Sequence, residues 1–247
     1  MYLTVRGLVL RVTTYNDTDA LIVLLTEAHG KLTVKARGLR KKNSRLSAPC
    51  QLLAYGEFVL FEYKDMYTIN EAHAIELFQG LRSDLDKLAL GTYFAQVSDV
   101  ISMEDTPTKE LLSLTLNCLF ALDKLKLNHK QIKAVFEMRV AAISGYLPDL
   151  SGCSHCGALY PDRFCISEGR LACAKCRIDD NSGIRLPISA GVLDSMRYIC
   201  ACESSRLFQF EAGENTLQSL SQITEAYLST QLERGFSALD FYKSLQL

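Results

Sequence analysis

Cys153-x2-Cys156 and Cys173-x2-Cys176 lie in the stretch CSHCGALYPDRFCISEGRLACAKC (153–176), with 16 residues between the two pairs. Two tight turns that each present two sulfurs at this spacing predict a tetrahedral four-thiolate site for one Zn2+. The two-residue loop lets backbone N–H groups reach the first sulfur, and Gly157 follows where a positive φ is often required. Four thiolates close the coordination sphere and leave no position for water, so the expected metal is structural. Thioredoxin-type exchange at either pair is the rival chemistry, and two pairs at knuckle spacing argue against it. His155 and Cys165 are read as loop or small-core residues. Cys50, Cys118, Cys200 and Cys202 are read as buried apolar thiols.

The second feature is positive charge. Of 247 residues, 27 are Lys or Arg and 28 are Asp or Glu, so the net charge of −1 says nothing about a polyanionic partner. Its distribution does: residues 31–45, KLTVKARGLRKKNSR, carry seven basic side chains and no acidic one. Alternation along KLTVKARG puts Lys31, Thr33, Lys35 and Arg37 on one strand face that leads into a basic loop. Lys35, Arg37, Arg40, Lys41, Lys42 and Arg45 are the candidate nucleic-acid ligands. A basic groove with aromatic platforms on a five-stranded barrel is a way to hold single strands without sequence readout. Tyr55, Phe58, Phe61, Tyr63 and Tyr67 follow, but the strand pattern assigns most of Phe58, Phe61 and Tyr63 to the core, so none is predicted to stack on bases.

An enzyme is not expected. The chain has no P-loop, GxSxG or HExxH motif, and its four histidines (29, 73, 129, 155) are scattered. Glu104-Asp105 and Asp179-Asp180 read as solvated helix ends or loops. A magnesium-dependent nuclease would need clustered carboxylates.

The elements that must position these residues change character along the chain. Residues 2–78 carry about five short β patterns, two of them around a His29-Gly30 turn, which suggests a small barrel or sandwich. Helical periodicity starts after residue 82, with Ser83 and Asp86 spaced as a capping box. Thr106-Pro107 is read as a second helix start, and Asn128 and Gln131 as the cap of a third helix ending at Gly145. Helices resume at 188–202 and from Asn215 to a stop at Gly235. The fold class is therefore α+β: residues 1–79 form a β domain, and residues 80–247 a helical domain with a zinc-binding insert at about 150–180. The chain has 48% apolar residues, no apolar run of membrane-spanning length and an N-terminus that reads as a strand. A cytoplasmic protein without disulfides is expected.

In this order the features resemble the bacterial RecO family of recombination mediators. GLVLRVTTYNDTDALIVLLTEAHGKLTVKARGLRKKNSRLSAPCQLL is similar to that family's N-terminal block, with a Leu-Thr-Glu-x-x-Gly turn ahead of a basic loop. FEMRVAAISGYLPDLSGCSHCG with the later CAKC resembles the helix leading into its zinc knuckle, and YLSTQLERGFSALDFYKSL its final helices. The resemblance implies an N-terminal OB-fold and binding of single- and double-stranded DNA. It also implies strand annealing and, with RecR, loading of RecA onto DNA coated by single-strand-binding protein, with a nucleoid-associated location. Arg139, on the apolar face of the third helix, needs a partner for its charge. It is read either as half of an internal ion pair or, with Lys133, as the border of a pocket for the acidic C-terminal tail of single-strand-binding protein. The alternative function is a zinc-ribbon protein-interaction module without affinity for single strands.

Overall fold

The computed structural model describes residues 1–64, 66–176 and 183–246. Packing divides the chain into two compact units, Met1–Leu125 with Phe236–Leu247, and Lys126–Gly235. The change from strands to helices comes earlier, after Glu76.

In the first unit, β1 (Tyr2–Thr14), β2 (Ala20–Thr26), β3 (Lys31–Ala36), β4 (Tyr55–Tyr63) and β5 (Met66–Glu76) close into a barrel in the order β1-β2-β3-β5-β4. This is the OB-fold expected from the resemblance. Closure depends on β1 being long enough to pair twice: Leu8 faces Leu25 of β2 and Tyr55 of β4. A register shift between Val9 and Arg11 bends it. The remaining seam is the parallel pairing of β3 with β5, Lys35 opposite Thr68. Val5, Val9, Ile22, Leu24, Leu32, Val34, Phe58, Leu60 and Ile69 fill the interior. On β3 the alternation is as predicted, with Leu32, Val34 and Ala36 buried and Lys31, Thr33 and Lys35 turned outward. The β2–β3 turn needs Gly30. Its φ is +62°, and a Cβ there would sit 2.2 Å from the Met103 carbonyl oxygen.

Helices α1 (Gln79–Arg82), α2 (Leu85–Ile101), α3 (Lys109–Lys124) and α7 (Ser237–Ser244) complete this unit. Tyr93 and Phe94 of α2 and Leu119 of α3 are fully buried, as a central helix pair requires. Two caps differ from the sequence reading. Asp84, not Ser83, caps α2, its carboxylate accepting from the Lys87 N–H at 3.1 Å. The cap residue of α3 is Thr108, because the Thr106 segment is taken up by the Gly30 turn.

The second unit holds α4 (His129–Ile143), α5 (Ala190–Ala201), α6 (Glu214–Gln231) and a small sheet. Asn128 caps α4 and Gly145 lies beyond its end at φ +87°, both as predicted. The sheet, in the order β6-β8-β7-β9 (Asp149–Cys153, Arg170–Ala172, Arg163–Cys165, Arg185–Pro187), carries the cysteine pairs. Asp179 and Asp180 lie outside the described residues.

Candidate metal centre and nucleic-acid interface

Cys153 ends β6 and Cys173 directly follows β8, so pairing of these two strands brings the CxxC turns together. The four Sγ atoms of Cys153, Cys156, Cys173 and Cys176 all lie within 4.8 Å of one another. The Cys153–Cys176 and Cys156–Cys173 sulfur separations are both 3.8 Å. A tetrahedron with Zn–S bonds near 2.3 Å has edges of about 3.8 Å, so the donors fit such an ion. Gly157 takes φ +73° to complete the first turn. Asp162 accepts the Ala174 N–H at 2.7 Å and so ties down the second.

The thiols are unequal. Burial opposes ionisation of Cys153, but N–H groups of Cys156, His155 and Cys173 aim at its sulfur and bring it down to about 6. Burial and contacts with its neighbours' sulfurs push Cys173 up to about 12. The hydrogen bond with Cys156, then burial, push Cys176 up to about 11. One thiolate is supported by the backbone; four so close together require a cation. His155 is exposed and outside the cluster, and Cys165 is buried on β7, as read from the sequence. Cys50 and Cys118 are buried, but Cys200 and Cys202 are only half-buried at the end of α5.

The basic loop starts where β3 leaves the barrel, and it is tethered at its root. Asp19 accepts from the Gly38 N–H at 2.9 Å and pairs with Lys35 at 3.2 Å. The Gly38 bond, followed by the side chains of Asn16, Lys35 and Thr18, holds the Asp19 carboxyl well below the usual carboxylate range despite partial desolvation. Arg40 donates to the Asn16 carbonyl at 2.9 Å, and its own N–H bonds Thr18. Leu39 and Leu46 pack against the barrel core, so the loop lies on the surface with two apolar anchors.

Lys35 is therefore the exception among the six candidates: it is bound to an acid and stacks 4.5 Å from the Tyr15 ring. Arg37, Arg40, Lys41, Lys42 and Arg45 are exposed, and none forms an ion pair with a described carboxylate. Two aromatic assignments need correction. Phe58 is buried as expected, but Phe61 and Tyr63 are 40% and 63% exposed. They lie at the end of β4 on the outward face of the strand, opposite in phase to the buried Phe58 and Leu60. With Tyr2 and Arg37 they line a surface depression. Strict alternation counted from Phe58 was the available signal, since it puts Phe61 and Tyr63 outward on the same face as Glu57.

In the second unit, Lys133 is corrected as well. It is 2% exposed, and its Nζ lies 2.9 Å from Glu137 and 2.8 Å from Glu225, with the Ser221 carbonyl at 3.1 Å. It is buried and paired with two carboxylates inside the fold. Arg139 fits neither sequence reading. Its Nη1 donates to the carbonyls of Ile199, Cys200 and Cys202 at 3.3–3.4 Å, at the C-terminal end of α5. The negative end of that helix is its counter-charge.

Residues 1–78 match the family model Recombination protein O N terminal, and residues 82–240 match Recombination protein O C terminal. The chain belongs to the RecO family. It is 35% identical to the DNA repair protein RecO of Acetivibrio thermocellus over 246 residues, covering 99% of this chain and 97% of that one. It is 30% identical to the DNA repair protein RecO of Bacillus subtilis over 225 residues, 90% of this chain and 86% of that one. The RecO N-terminal match ends at the barrel, and the C-terminal match includes the cysteine cluster. Among the described residues no helix is long and apolar enough to cross a membrane.

Proposed function

We propose that this chain is a non-enzymatic DNA-repair mediator that grips DNA phosphates with the basic loop of its barrel and holds one structural Zn2+ in its cysteine cluster. The observation that carries the reading is the row of five exposed cations, Arg37 to Arg45, without acidic partners among the described residues. Such a row exchanges condensed counterions for protein charge and binds without sequence preference. The loop and its neighbours lie at the part of an OB barrel that receives oligonucleotides in other proteins, beside the β1–β2 and β4–β5 connections. Lys35 contributes by holding Asp19 and thereby the loop root. Its own contact with phosphate would require that pair to open.

Annealing needs no catalytic group. Neutralising two strands on one surface lowers their repulsion and raises their local concentration. RecR, RecA and the tail of single-strand-binding protein are the proposed partners, and single- and double-stranded DNA the ligands, in the bacterial cytoplasm at the nucleoid. No residue is assigned to the protein partners, since Lys133 and Arg139 are engaged within the fold. Zinc, when bound, supplies the positive charge that lets four thiolates share one site and fixes the β6–β8 junction.

The test is annealing of complementary oligonucleotides coated with the cognate single-strand-binding protein. The chain should accelerate it, and the Arg40→Ala/Lys41→Ala/Lys42→Ala variant should not. Equal annealing by both would reject the loop as the binding element. Failure of the unmodified chain to bind single strands at all would favour a protein-interaction module instead.

A further inference from the structure

Beside the basic loop, Tyr2 of β1, Phe61 and Tyr63 of β4, Arg37, Met66 and Asn70 line a depression of about 360 Å³. This lies within the range of small-ligand sites. Its apolar members are unusual for a soluble surface: Tyr2, Phe61, Tyr63 and Met66 are between 40% and 63% exposed and contiguous. Tyr2 and Phe61 rings sit 5.3 Å apart, tilted at 53°, which makes a shelf with an open face. Lys64 leans over the Tyr63 ring at 5.4 Å, adding a second cation to the rim.

We infer that this depression is a base-stacking subsite that selects unpaired over paired nucleic acid. The inference rests on the phosphate-binding reading above. A strand held by Arg40 to Arg45 has Arg37 as its next cation, and Arg37 belongs to both the loop and the depression. A phosphate on Arg37 places the attached base over the Tyr2–Phe61–Tyr63 shelf, where its π-face finds ring partners. Asn70 offers a carbonyl oxygen and an amide to base edges without demanding one base. In a duplex both faces of each base are already stacked, so only a single strand can fill the shelf. The charge around the depression favours a polyanion as its occupant over an apolar peptide.

The chain contains no tryptophan, so Tyr63→Trp creates one fluorescent probe on the shelf. That variant is titrated with oligothymidylate, with a blunt duplex carrying the same number of phosphates, and with heparin, while anisotropy of labelled ligand follows binding. Stacking predicts quenching by oligothymidylate that tracks its binding curve, and binding of duplex and heparin without quenching. In parallel, Phe61→Ala/Tyr63→Ala, at exposed positions, should weaken single-strand affinity roughly 5- to 100-fold and leave duplex affinity unchanged. Equal quenching by heparin or duplex overturns the subsite, as does single-strand binding with no quenching or no loss in the double variant. If the unmodified chain binds none of the three ligands, the phosphate-binding reading itself fails, and the subsite with it.

Discussion

Replacing Lys133 by Met isolates what an interior lysine does in this fold. Lys133 and Glu137 are an i,i+4 pair with side chains 3% and 0% exposed, and Thr224 donates to the same Glu137 carboxylate at 2.6 Å. Burial pushes the Glu137 carboxyl above its ordinary range, and Lys133 and Thr224 oppose that shift. Without Lys133 the carboxyl rises further and takes up a proton in the folded state. Protonating a group of ordinary pKa 4.5 at pH 7 costs at most about 3.4 kcal/mol, at about 1.36 kcal/mol per pH unit. The lost donors to the Ser221 carbonyl and to Glu225 add to this, giving the roughly 3–5 kcal/mol typical of breaking a buried pair. The sign of the pH dependence follows from the raised carboxyl. The folded state binds the proton more tightly than the unfolded chain, so stability falls as pH rises above 4.5 towards the shifted value. The variant should therefore lose least near pH 5, where the protonation cost is only about 0.7 kcal/mol. Urea unfolding followed by circular dichroism at pH 5 and pH 8 measures this. Lys133→Leu/Glu137→Leu should recover much of the loss, because apolar replacement of a whole buried pair is often neutral. A loss below about 1 kcal/mol, or one that does not change with pH, would refute an interior role for Lys133.

Three further outcomes are expected. Cys156→Ser should lower metal content below one equivalent and destabilise the second unit while leaving affinity for single strands intact; elemental analysis and thermal unfolding check this. Arg139→Ala should cost about 1–2 kcal/mol by uncapping α5, with no change in DNA affinity, and a larger effect on DNA than on unfolding would contradict it. Asp19→Asn should loosen the basic loop, seen as faster hydrogen exchange of the Gly38 amide. In the unmodified chain the depressed Asp19 carboxyl contributes stability above its ordinary value of 3.8 and loses it only as pH falls through the lowered one, so Gly38 should stay protected at pH 3.

Sequence patterning revealed what repeats locally. The outward phase of Lys31 and Lys35, the Gly30 turn and the two CxxC pairs each depend on neighbours within a few residues. Barrel closure was legible only through the resemblance, because the β3–β5 pairing joins Lys35 to Thr68 across the whole basic loop. The small sheet behind the cysteines was missed because β7, β8 and β9 are three residues each, too short for alternation to register. Capping was misplaced by one or two residues wherever several Ser, Thr and Asp side chains compete, as at Ser83 and Asp84. Lys133 was misread even though Glu137 stood four residues later; a lysine on an apolar helix face with its counter-charge at i+4 points inward. Arg139 could not be read at all, since its partners are backbone carbonyls of a helix 60 residues away.

The central claim, that the loop cations meet phosphates, is tested most directly by the salt dependence of single-strand affinity. Five exposed cations, Arg37, Arg40, Lys41, Lys42 and Arg45, predict that log K against log salt concentration has a slope of about −3.5. Removing Arg40, Lys41 and Lys42 should flatten it by about 2. A slope near zero in the unmodified chain, or the same slope after those three changes, would contradict the account.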